Sequence, residues 1–168
     1  MRLVILGAGG FGHTVADVAQ QLNKYDEILF LDDDATKAVG NCEDYINYID
    51  NDTEMYPAFG NNEVRLNWML RLLESEAQIP LFIHPTAYVS PMAEIEKGTI
   101  ILPHAIVNTS CSIGKGCIIN CGAIVDHGCV IDDGVHICLG AIVKGDNHIN
   151  RGVKIEAGEV IQARMYPV

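Results

Sequence analysis

The chain has 168 residues, of which 49% are hydrophobic and 20% charged. This composition excludes a disordered chain and allows one domain or two small ones. Twenty-two acidic residues against 11 basic ones give a net charge of −11, and such a surface repels nucleic acids and anionic membranes. No apolar run reaches the roughly 18 residues that a membrane-spanning helix needs.

The N-terminal sequence MRLVILGAGG is typical of a first strand that leads into a glycine turn, and it does not resemble a secretion signal. Six cysteines without a CxxC pair are too few for a disulfide scaffold. We therefore expect reduced thiols and a cytoplasmic protein. No HxH or HExxH spacing occurs, so no metal site is predicted.

The first half of the chain alternates segments with strand-like and helix-like spacing of apolar residues. Strands are predicted at Arg2–Leu6, 28–31 and 56–59, and helices at 11–22 and 61–77. The acidic, asparagine-rich stretch 41–54 is predicted to be a loop with one short strand. This order predicts a small α/β domain over residues 1–80.

A glycine loop lies between the first predicted strand and the first predicted helix. Residues 7–12 read GAGGFG, which satisfies GxGxxG, and Asp32 follows 20 residues after Gly12. Glycines let the backbone approach a pyrophosphate, and the helix N-terminus supplies free N–H groups. The alternative is a tight turn that needs glycine only for packing. The candidate nucleotide-binding residues are Gly9, Gly10, Phe11, Gly12, His13, Asp32 and Asp33.

The period of the sequence changes to six in the second half. Fourteen aliphatic residues follow one another six positions apart from Ile83 to Ile161, and a small residue mostly stands four positions after each. This is the hexapeptide repeat of a parallel β-helix. Three hexads form one triangular coil, so residues 18 apart stack at about 4.8 Å, and the repeats predict between four and five coils.

One histidine stands out within the repeats. His127 occupies an outward-facing position of its hexad, where both a general base and an ordinary surface histidine are compatible with the spacing. His136 comes nine residues later, half a coil further, which places it more than about 10 Å away. The two can share a site only if a neighbouring subunit closes it. Cys111 and Cys129 are 18 apart and are predicted to stack as small core residues.

A glycine-loop half followed by an uninterrupted hexapeptide half resembles the sugar acetyltransferases that include the sialic acid O-acetyltransferases and the bacterial nucleotide-amino-sugar N-acetyltransferases. Residues 30–33 (FLDD) and 59–65 (FGNNEVR) look like the nucleotide-sugar elements of this family. Residues 120–129 look like its catalytic hexads and 135–141 like its acetyl-CoA segment. The resemblance implies a Rossmann-like mononucleotide-binding domain over 1–80, a left-handed β-helix over 81–168, and a homotrimer with active sites between subunits.

The same resemblance implies roles for particular residues. It makes His127 the general base, and it assigns Gly60 and Asn61 to the nucleotide sugar and His136 and Gly145 to acetyl-CoA. The family usually has an acid directly after the catalytic histidine, where this chain has Gly128, and Asp126 is the candidate substitute. Family members continue for one or two more coils beyond the hexad of Ile161, so we expect weaker binding of acetyl-CoA here.

The predicted function is acetyl-CoA-dependent N-acetylation of a nucleotide-linked amino sugar, with UDP as the expected nucleotide, in bacterial surface glycan synthesis. Two alternatives remain: an O-acetyltransferase acting on a sialic-acid-like sugar, and a catalytically weak trimer that binds nucleotide sugars. Binding of NAD is the weakest alternative, because a full dinucleotide fold needs two mononucleotide halves and only about 80 residues precede the repeats.

Overall fold

The structure is a computed structural model that describes residues 1–34, 36 and 38–167. The chain divides into two compact units, Met1–Pro80 and Leu81–Val168. Each unit has its own secondary structure and its own buried apolar core.

The first unit is built on a parallel sheet of three strands in the order β2-β1-β3. The strands are β1 (Arg2–Leu6), β2 (Glu27–Leu31) and β3 (Thr53–Pro57), the helices are α1 (Gly10–Gln21) and α2 (Asn62–Glu74), and a 3-10 helix covers Cys42–Tyr48. Residues 3–6 of the central strand are fully buried, as expected for a strand that is paired on both edges.

The prediction for the third strand was wrong in its bounds. β3 begins three residues before the predicted 56–59 and ends two residues earlier, because Thr53 and Pro57 pair with the two ends of β1. The stretch 41–54 is also more ordered than the predicted loop. Its 3-10 helix starts with a capping box in which the side chains of Asn41 and Asp44 each accept a backbone N–H of the other residue.

The strand order places a topological switch point at the carboxyl ends of these strands. The chain runs from central β1 to β2 on one side and then returns to β3 on the other side. The loops that follow β1 and β3 therefore leave the same edge from adjacent strands, which is where ligands bind in open parallel sheets. A β-carbon at Gly7 would lie 3.0 Å from the Ala58 carbonyl oxygen, so these two loops lie against each other.

The second unit is a stack of short strands in three parallel sheets, in the orders β16-β13-β10-β7-β4, β17-β14-β11-β8-β5 and β15-β12-β9-β6. Each strand has two residues and ends on an aliphatic residue of the predicted series, which confirms the repeat. The strands are β4 (Phe82–Ile83), β5 (Tyr88–Val89), β6 (Glu94–Ile95), β7 (Ile100–Ile101), β8 (Ile106–Val107), β9 (Ser112–Ile113), β10 (Ile118–Ile119), β11 (Ile124–Val125), β12 (Val130–Ile131), β13 (His136–Ile137), β14 (Ile142–Val143), β15 (His148–Ile149), β16 (Lys154–Ile155) and β17 (Val160–Ile161).

The inner residues of these strands form one continuous core together with the small residues of the turns, including Cys111 and Cys129. Every sixth residue from 98 to 164 has a positive φ angle and turns a corner of the coil. Most of these corner residues are glycine, and the exceptions are His104, Ser110, Asp146 and Arg164. Parallel pairing between strands of successive coils, in three sheets, fits a left-handed β-helix.

Candidate functional site

The glycines of residues 7–12 serve two different purposes. Gly7 has a φ of +103°, and a β-carbon at Gly12 would lie 2.0 Å from the Gly7 carbonyl oxygen, so both positions need glycine for the turn and its packing. Gly9 and Gly10, in contrast, have no atom of the described residues within 4 Å of the place that a β-carbon would take. The absence of their side chains is therefore not explained by packing, and it leaves open space in front of helix α1.

The N-terminus of α1 faces this open space without a side-chain cap. Its N-cap residue is Gly9, which offers no side chain, and the first turn contains no acidic residue. The first N–H groups of a helix lack partners within the helix, and the helix dipole is positive at this end. The geometry thus suits an anionic group such as a phosphate.

The two aspartates after β2 hold the surrounding loops in place. Asp32 accepts a hydrogen bond from the Ala8 backbone N–H at 2.7 Å and another from that of Asp34 at 2.9 Å. Asp33 accepts one from the Cys42 backbone N–H at 3.1 Å. Asp32, a predicted nucleotide-binding residue, therefore ties the end of β2 to the glycine loop.

The loop between β3 and α2 lies next to the glycine loop and is held by several hydrogen bonds. The Asn61 side chain caps α2 by accepting the Val64 N–H at 3.0 Å, and a β-carbon at Gly60 would have no atom of the described part of the chain within 4 Å. Beneath the loop, Arg65 is fully buried and donates to the Phe59 carbonyl oxygen at 2.9 Å and to the Asn62 side-chain oxygen at 2.8 Å. The rings of His13 and Phe30 pack 5.1 Å apart.

In the β-helix, His127 lies at the corner between β11 and β12, with 55% of its side chain exposed. Its ring lies directly against Gly145, one coil further along. A β-carbon at Gly145 would be 2.6 Å from Cε1 and 2.7 Å from Nε2 of the imidazole. The predicted outward orientation of His127 is confirmed, and Gly145 provides the flat surface on which its ring rests.

Two carboxylates flank the His127 ring. Asp126 Oδ2 lies 3.9 Å from Nε2, while Asp126 Oδ1 accepts the His127 backbone N–H at 2.8 Å and the Asn108 side-chain amide at 3.2 Å. Asp146 Oδ1 lies 3.7 Å from Nδ1 of the ring. Arg164 in turn holds the other oxygen of Asp146 at 3.0 Å.

His136 begins strand β13, and strand β12 separates it along the chain from the corner that carries His127. Its Nε2 lies 3.0 Å from the side-chain nitrogen of Asn120, which is one coil earlier on the same face. An imidazole that accepts from an amide is held in one orientation. Among residues 1–34, 36 and 38–167, no three His, Cys, Asp or Glu side chains are grouped as a metal ion requires.

Comparisons with known proteins identify the family. Residues 2–72 match the family model described as the PglD N-terminal domain. The structure is similar to the acetyltransferase domain of PglB from Neisseria gonorrhoeae FA1090, with a TM-score of 0.92 and 32% sequence identity. The match covers 97% of this chain and 83% of the PglB domain. The chain belongs to the hexapeptide-repeat sugar acetyltransferases.

This membership confirms the predicted family and the predicted enzyme class, an acyltransferase that uses acetyl-CoA as donor. The same PglB domain has been solved in complex with acetyl coenzyme A. More distant structures share the fold: WeeI from Acinetobacter baumannii AYE (21% identity, TM-score 0.71, 95% of this chain and 96% of that one) and a perosamine N-acetyltransferase from Caulobacter crescentus (17%, 0.68, 98% and 91%).

Two residues of this acetyltransferase were missed by the sequence analysis. Arg65 lay within the quoted motif at 59–65, but nothing in the sequence showed that its charge is buried beneath the loop. Asp146 directly follows Gly145, the residue that stacks on His127 one coil later. A search for acidic residues one coil away from the candidate base would have found it. The predicted roles of the site residues themselves remain predictions.

Proposed function

We propose that this acetyltransferase transfers the acetyl group of acetyl-CoA to the amino group of a nucleotide-linked sugar, with UDP as the nucleotide, in the synthesis of a bacterial surface glycan. The observation that supports this most strongly is the exposed His127 ring, held flat on Gly145 and flanked by carboxylates. An exposed and oriented imidazole in an acetyltransferase of this family is the expected form of a general base.

The reaction needs a proton acceptor, and His127 is assigned this role. The amine nitrogen of the sugar attacks the thioester carbonyl carbon, and Nε2 of the imidazole takes the proton that the nitrogen loses. When the tetrahedral intermediate collapses, the C–S bond breaks and the proton passes to the leaving sulfur. The products are an amide and the free thiol of coenzyme A. We assign stabilisation of the oxyanion to backbone N–H groups of the coils.

We further propose that the Rossmann-like first unit binds the nucleotide. The uncapped N-terminus of α1 and the open space at Gly9 and Gly10 suit the diphosphate. The residues in the first turn of α1 and in the loops after β2 and β3 are assigned to the nucleoside and to the first sugar contacts: Phe11, His13, Asp32, Asp33, Gly60 and Asn61. The related perosamine N-acetyltransferase was solved with CoA and GDP-perosamine, which supports a nucleotide-sugar acceptor in general.

Acetyl transfer by purified protein tests the acceptor directly. Release of the coenzyme A thiol is measured with UDP-, GDP-, dTDP- and CMP-linked sugars that carry either a free amine or only hydroxyl groups. We expect turnover with a UDP-linked amino sugar and little with hydroxyl acceptors. Turnover only with a hydroxyl acceptor of the sialic-acid type would instead establish an O-acetyltransferase, and binding without turnover would establish a nucleotide-sugar-binding protein.

The role of His127 is tested by substitution. His127→Ala should lower kcat by at least about 10²-fold, because general-base catalysis contributes about 10²- to 10⁴-fold. His104→Ala is a matched control, since His104 is an exposed histidine at a different corner of the β-helix. Activity of His127→Ala within threefold of the unsubstituted protein would refute the assignment. His136 and Gly145 remain assigned to acetyl-CoA until variants are measured for coenzyme affinity.

A further inference from the structure

Residues 110, 128, 146 and 164 form a column at one corner of the β-helix, because they lie 18 positions apart. All four have positive φ angles, between 55° and 65°. Glycine occupies this conformation most readily, yet Gly128 is the only glycine of the four. The side chains at 146 and 164 therefore stand where the backbone itself favours glycine.

The Asp146 side chain makes specific contacts on both sides. Its Oδ1 lies 3.7 Å from Nδ1 of His127, and its Oδ2 accepts from Nε and Nη2 of Arg164 at 3.1 and 3.0 Å. Its backbone N–H donates to the His127 carbonyl oxygen at 3.0 Å. Arg164 thus fixes one carboxylate oxygen so that the other is directed at the histidine.

The space beside Gly128 is filled by the same carboxylate. A β-carbon at Gly128 would lie 2.5 Å from Oδ1 of Asp146, and its three nearest neighbouring atoms all belong to Asp146. A side chain at 128 and the present side chain at 146 would therefore compete for one volume next to the His127 ring. The chain fills this volume with an acid from the following coil.

We propose that Asp146, held by Arg164, is the positioning residue of His127: it keeps the proton of the neutral imidazole on Nδ1 and leaves the lone pair on Nε2 for the acceptor amine. This inference rests on the proposed function of His127. A carboxylate at one ring nitrogen sets the tautomer and orients the ring in the same way in histidine-dependent acyl transfer generally. The 3.7 Å between Oδ1 and Nδ1 is longer than a hydrogen bond, and such contacts commonly tighten when substrate binds.

Asp126 is the competing carboxylate, and its geometry favours a different role. Its Oδ1 already accepts from the His127 backbone N–H and from Asn108, and its Oδ2 lies 3.9 Å from Nε2. A carboxylate that held a proton on Nε2 would block the nitrogen that takes the proton of the amine. Asp126 therefore fixes the backbone at His127 rather than the tautomer.

The test uses Asp146→Gly, which removes the carboxylate and leaves glycine in a conformation that suits it. We expect kcat to fall about 10- to 100-fold, a part of the general-base contribution, while KM for both substrates changes less than threefold. Ser110→Gly is the matched control, because it makes the same backbone change in the same column two coils before Asp146. It should leave kcat unchanged.

Relocation of the acid distinguishes positioning from a structural effect. In the double variant Asp146→Gly and Gly128→Asp, the clash at position 128 is absent and a carboxylate returns to the same volume. We expect kcat to rise at least fivefold above that of Asp146→Gly alone. Nitrogen-15 chemical shifts of His127 in substrate-free protein should show the Nδ1–H tautomer in the unsubstituted protein and in the double variant, and a mixture in Asp146→Gly.

Two results would overturn the inference: kcat of Asp146→Gly within twofold of the unsubstituted protein, or an unchanged His127 tautomer in that variant. If Asp126→Asn alters the tautomer while Asp146→Gly does not, Asp126 is the positioning residue. Failure of the proposed base is recognised separately, because it would appear as activity of His127→Ala within threefold of the unsubstituted protein. The nitrogen-15 shifts report the contact with Asp146 whatever the reaction proves to be.

Discussion

Single residues in this acetyltransferase are defined by neighbours that lie one coil away. His127 rests on Gly145 and contacts Asp146, which follow it in the sequence by 18 and 19 residues. The β-helix brings them together because its period of three hexads stacks successive coils. A glycine and an aspartate that look unremarkable in the sequence are therefore part of the surroundings of the candidate base.

Gly145 provides a prediction at this scale. In Gly145→Ala the new methyl group would lie 2.6 Å from Cε1 of His127, so the imidazole must rotate away while the backbone stays in place. We expect kcat to fall at least about tenfold, since a 1 Å displacement of a reacting group can cost about 10²-fold. The thermal midpoint should change by less than about 2 °C.

Gly158→Ala serves as the control for Gly145→Ala. It has open space but a φ of +71°, so an alanine there is strained by about 1 kcal/mol. This variant should lose stability and keep its kcat, which is the opposite pattern. Equal kcat values for the two alanine variants would contradict the role given to Gly145.

The cysteines provide a second prediction at the residue scale. Five of the six are buried, and Cys121 is the one that is partly exposed. Burial raises the pKa of Cys138, and burial together with the nearby carboxylates of Asp33 and Asp32 raises the pKa of Cys42 to about 11. A hydrogen bond from Cys129 lowers the pKa of Cys111, but the Cys111 side chain is buried. Because alkylation needs both a thiolate and access to the sulfur, iodoacetamide at pH 8 should alkylate Cys121 first. Mass spectrometry of the folded protein identifies the modified residue, and Cys121→Ser should abolish the fast phase.

At the scale of elements, the candidate binding feature of the first unit lies where strand β1 ends and helix α1 begins. The loop after β1 combines glycines that the fold requires with glycines that it does not.

The last coil is held by a buried polar side chain. Asn147 occupies a core position that hexapeptide repeats usually give to a small residue. Its side chain donates to the Lys144 and Gln162 carbonyl oxygens at 2.7 and 2.9 Å and accepts from the Tyr166 N–H at 2.8 Å.

The glycine loop is tested with two glycine substitutions. Gly10→Val places a side chain in open space in front of α1, so the fold should persist while a phosphate is excluded. We expect the dissociation constant for UDP, measured by calorimetry, to rise at least tenfold with little change in the thermal midpoint. Gly12→Ala should instead destabilise the first unit, because its β-carbon would lie 2.0 Å from the Gly7 carbonyl oxygen. Unchanged UDP affinity of Gly10→Val would show that the loop is only structural.

Asn147→Ala tests the last coil. The substitution leaves the Gln162 carbonyl group and the Tyr166 N–H without their side-chain partner, whereas the Lys144 carbonyl oxygen keeps the thiol of Cys129 at 3.3 Å. Each buried polar group left unsatisfied costs about 1–3 kcal/mol. We expect the free energy of unfolding in urea to fall by about 2–4 kcal/mol. Cys129→Ala, one coil earlier in the same core column, should cost less because it removes a small side chain whose thiol is only a weak donor to the His127 and Lys144 carbonyl oxygens. The reverse order would contradict the polar role of Asn147.

For the molecule as a whole, the proposed site depends on assembly. His127 lies at one corner of the β-helix and His136 on the face that starts after the next corner. If both contribute to one reaction, as proposed, a second copy of the chain must bring them together. In closed symmetric oligomers, two neighbouring subunits can each supply one half of a site.

Among the described residues, no helix is long and apolar enough to cross a membrane.

A mixing experiment tests the shared site. Light scattering should give about three times the 18.3 kDa of one chain. At an acetyl-CoA concentration well below saturation, His127→Ala and His136→Ala should each be nearly inactive alone. Oligomers assembled from an equal mixture should regain activity in about a quarter of their sites, since each site takes one histidine from each of two subunits. No recovery in verified mixed oligomers, or a fully active monomer, would refute a site between subunits.

The β-helix and the family could be predicted without coordinates. Fourteen aliphatic residues in one register can bury their side chains only if the chain coils with that period, so local pattern and global fold coincide. The bounds of β1 were also predicted correctly, because a continuous apolar run paired on both sides is fully buried. The bounds of β3 were misplaced, since pairing with β1, rather than local hydrophobicity, decides where that strand begins.

The surroundings of each candidate residue became visible only in three dimensions. Three features depend on how the folded segments lie against one another. They are the burial of Arg65 beneath the loop between β3 and α2, the separate purposes of Gly10 and Gly12, and the contact of Asp146 with His127. A repeat fixes which residues stack, but it does not say which side chain fills the space that a glycine leaves. Stacking follows from a period that the sequence displays, whereas side-chain contacts follow from how the folded segments pack.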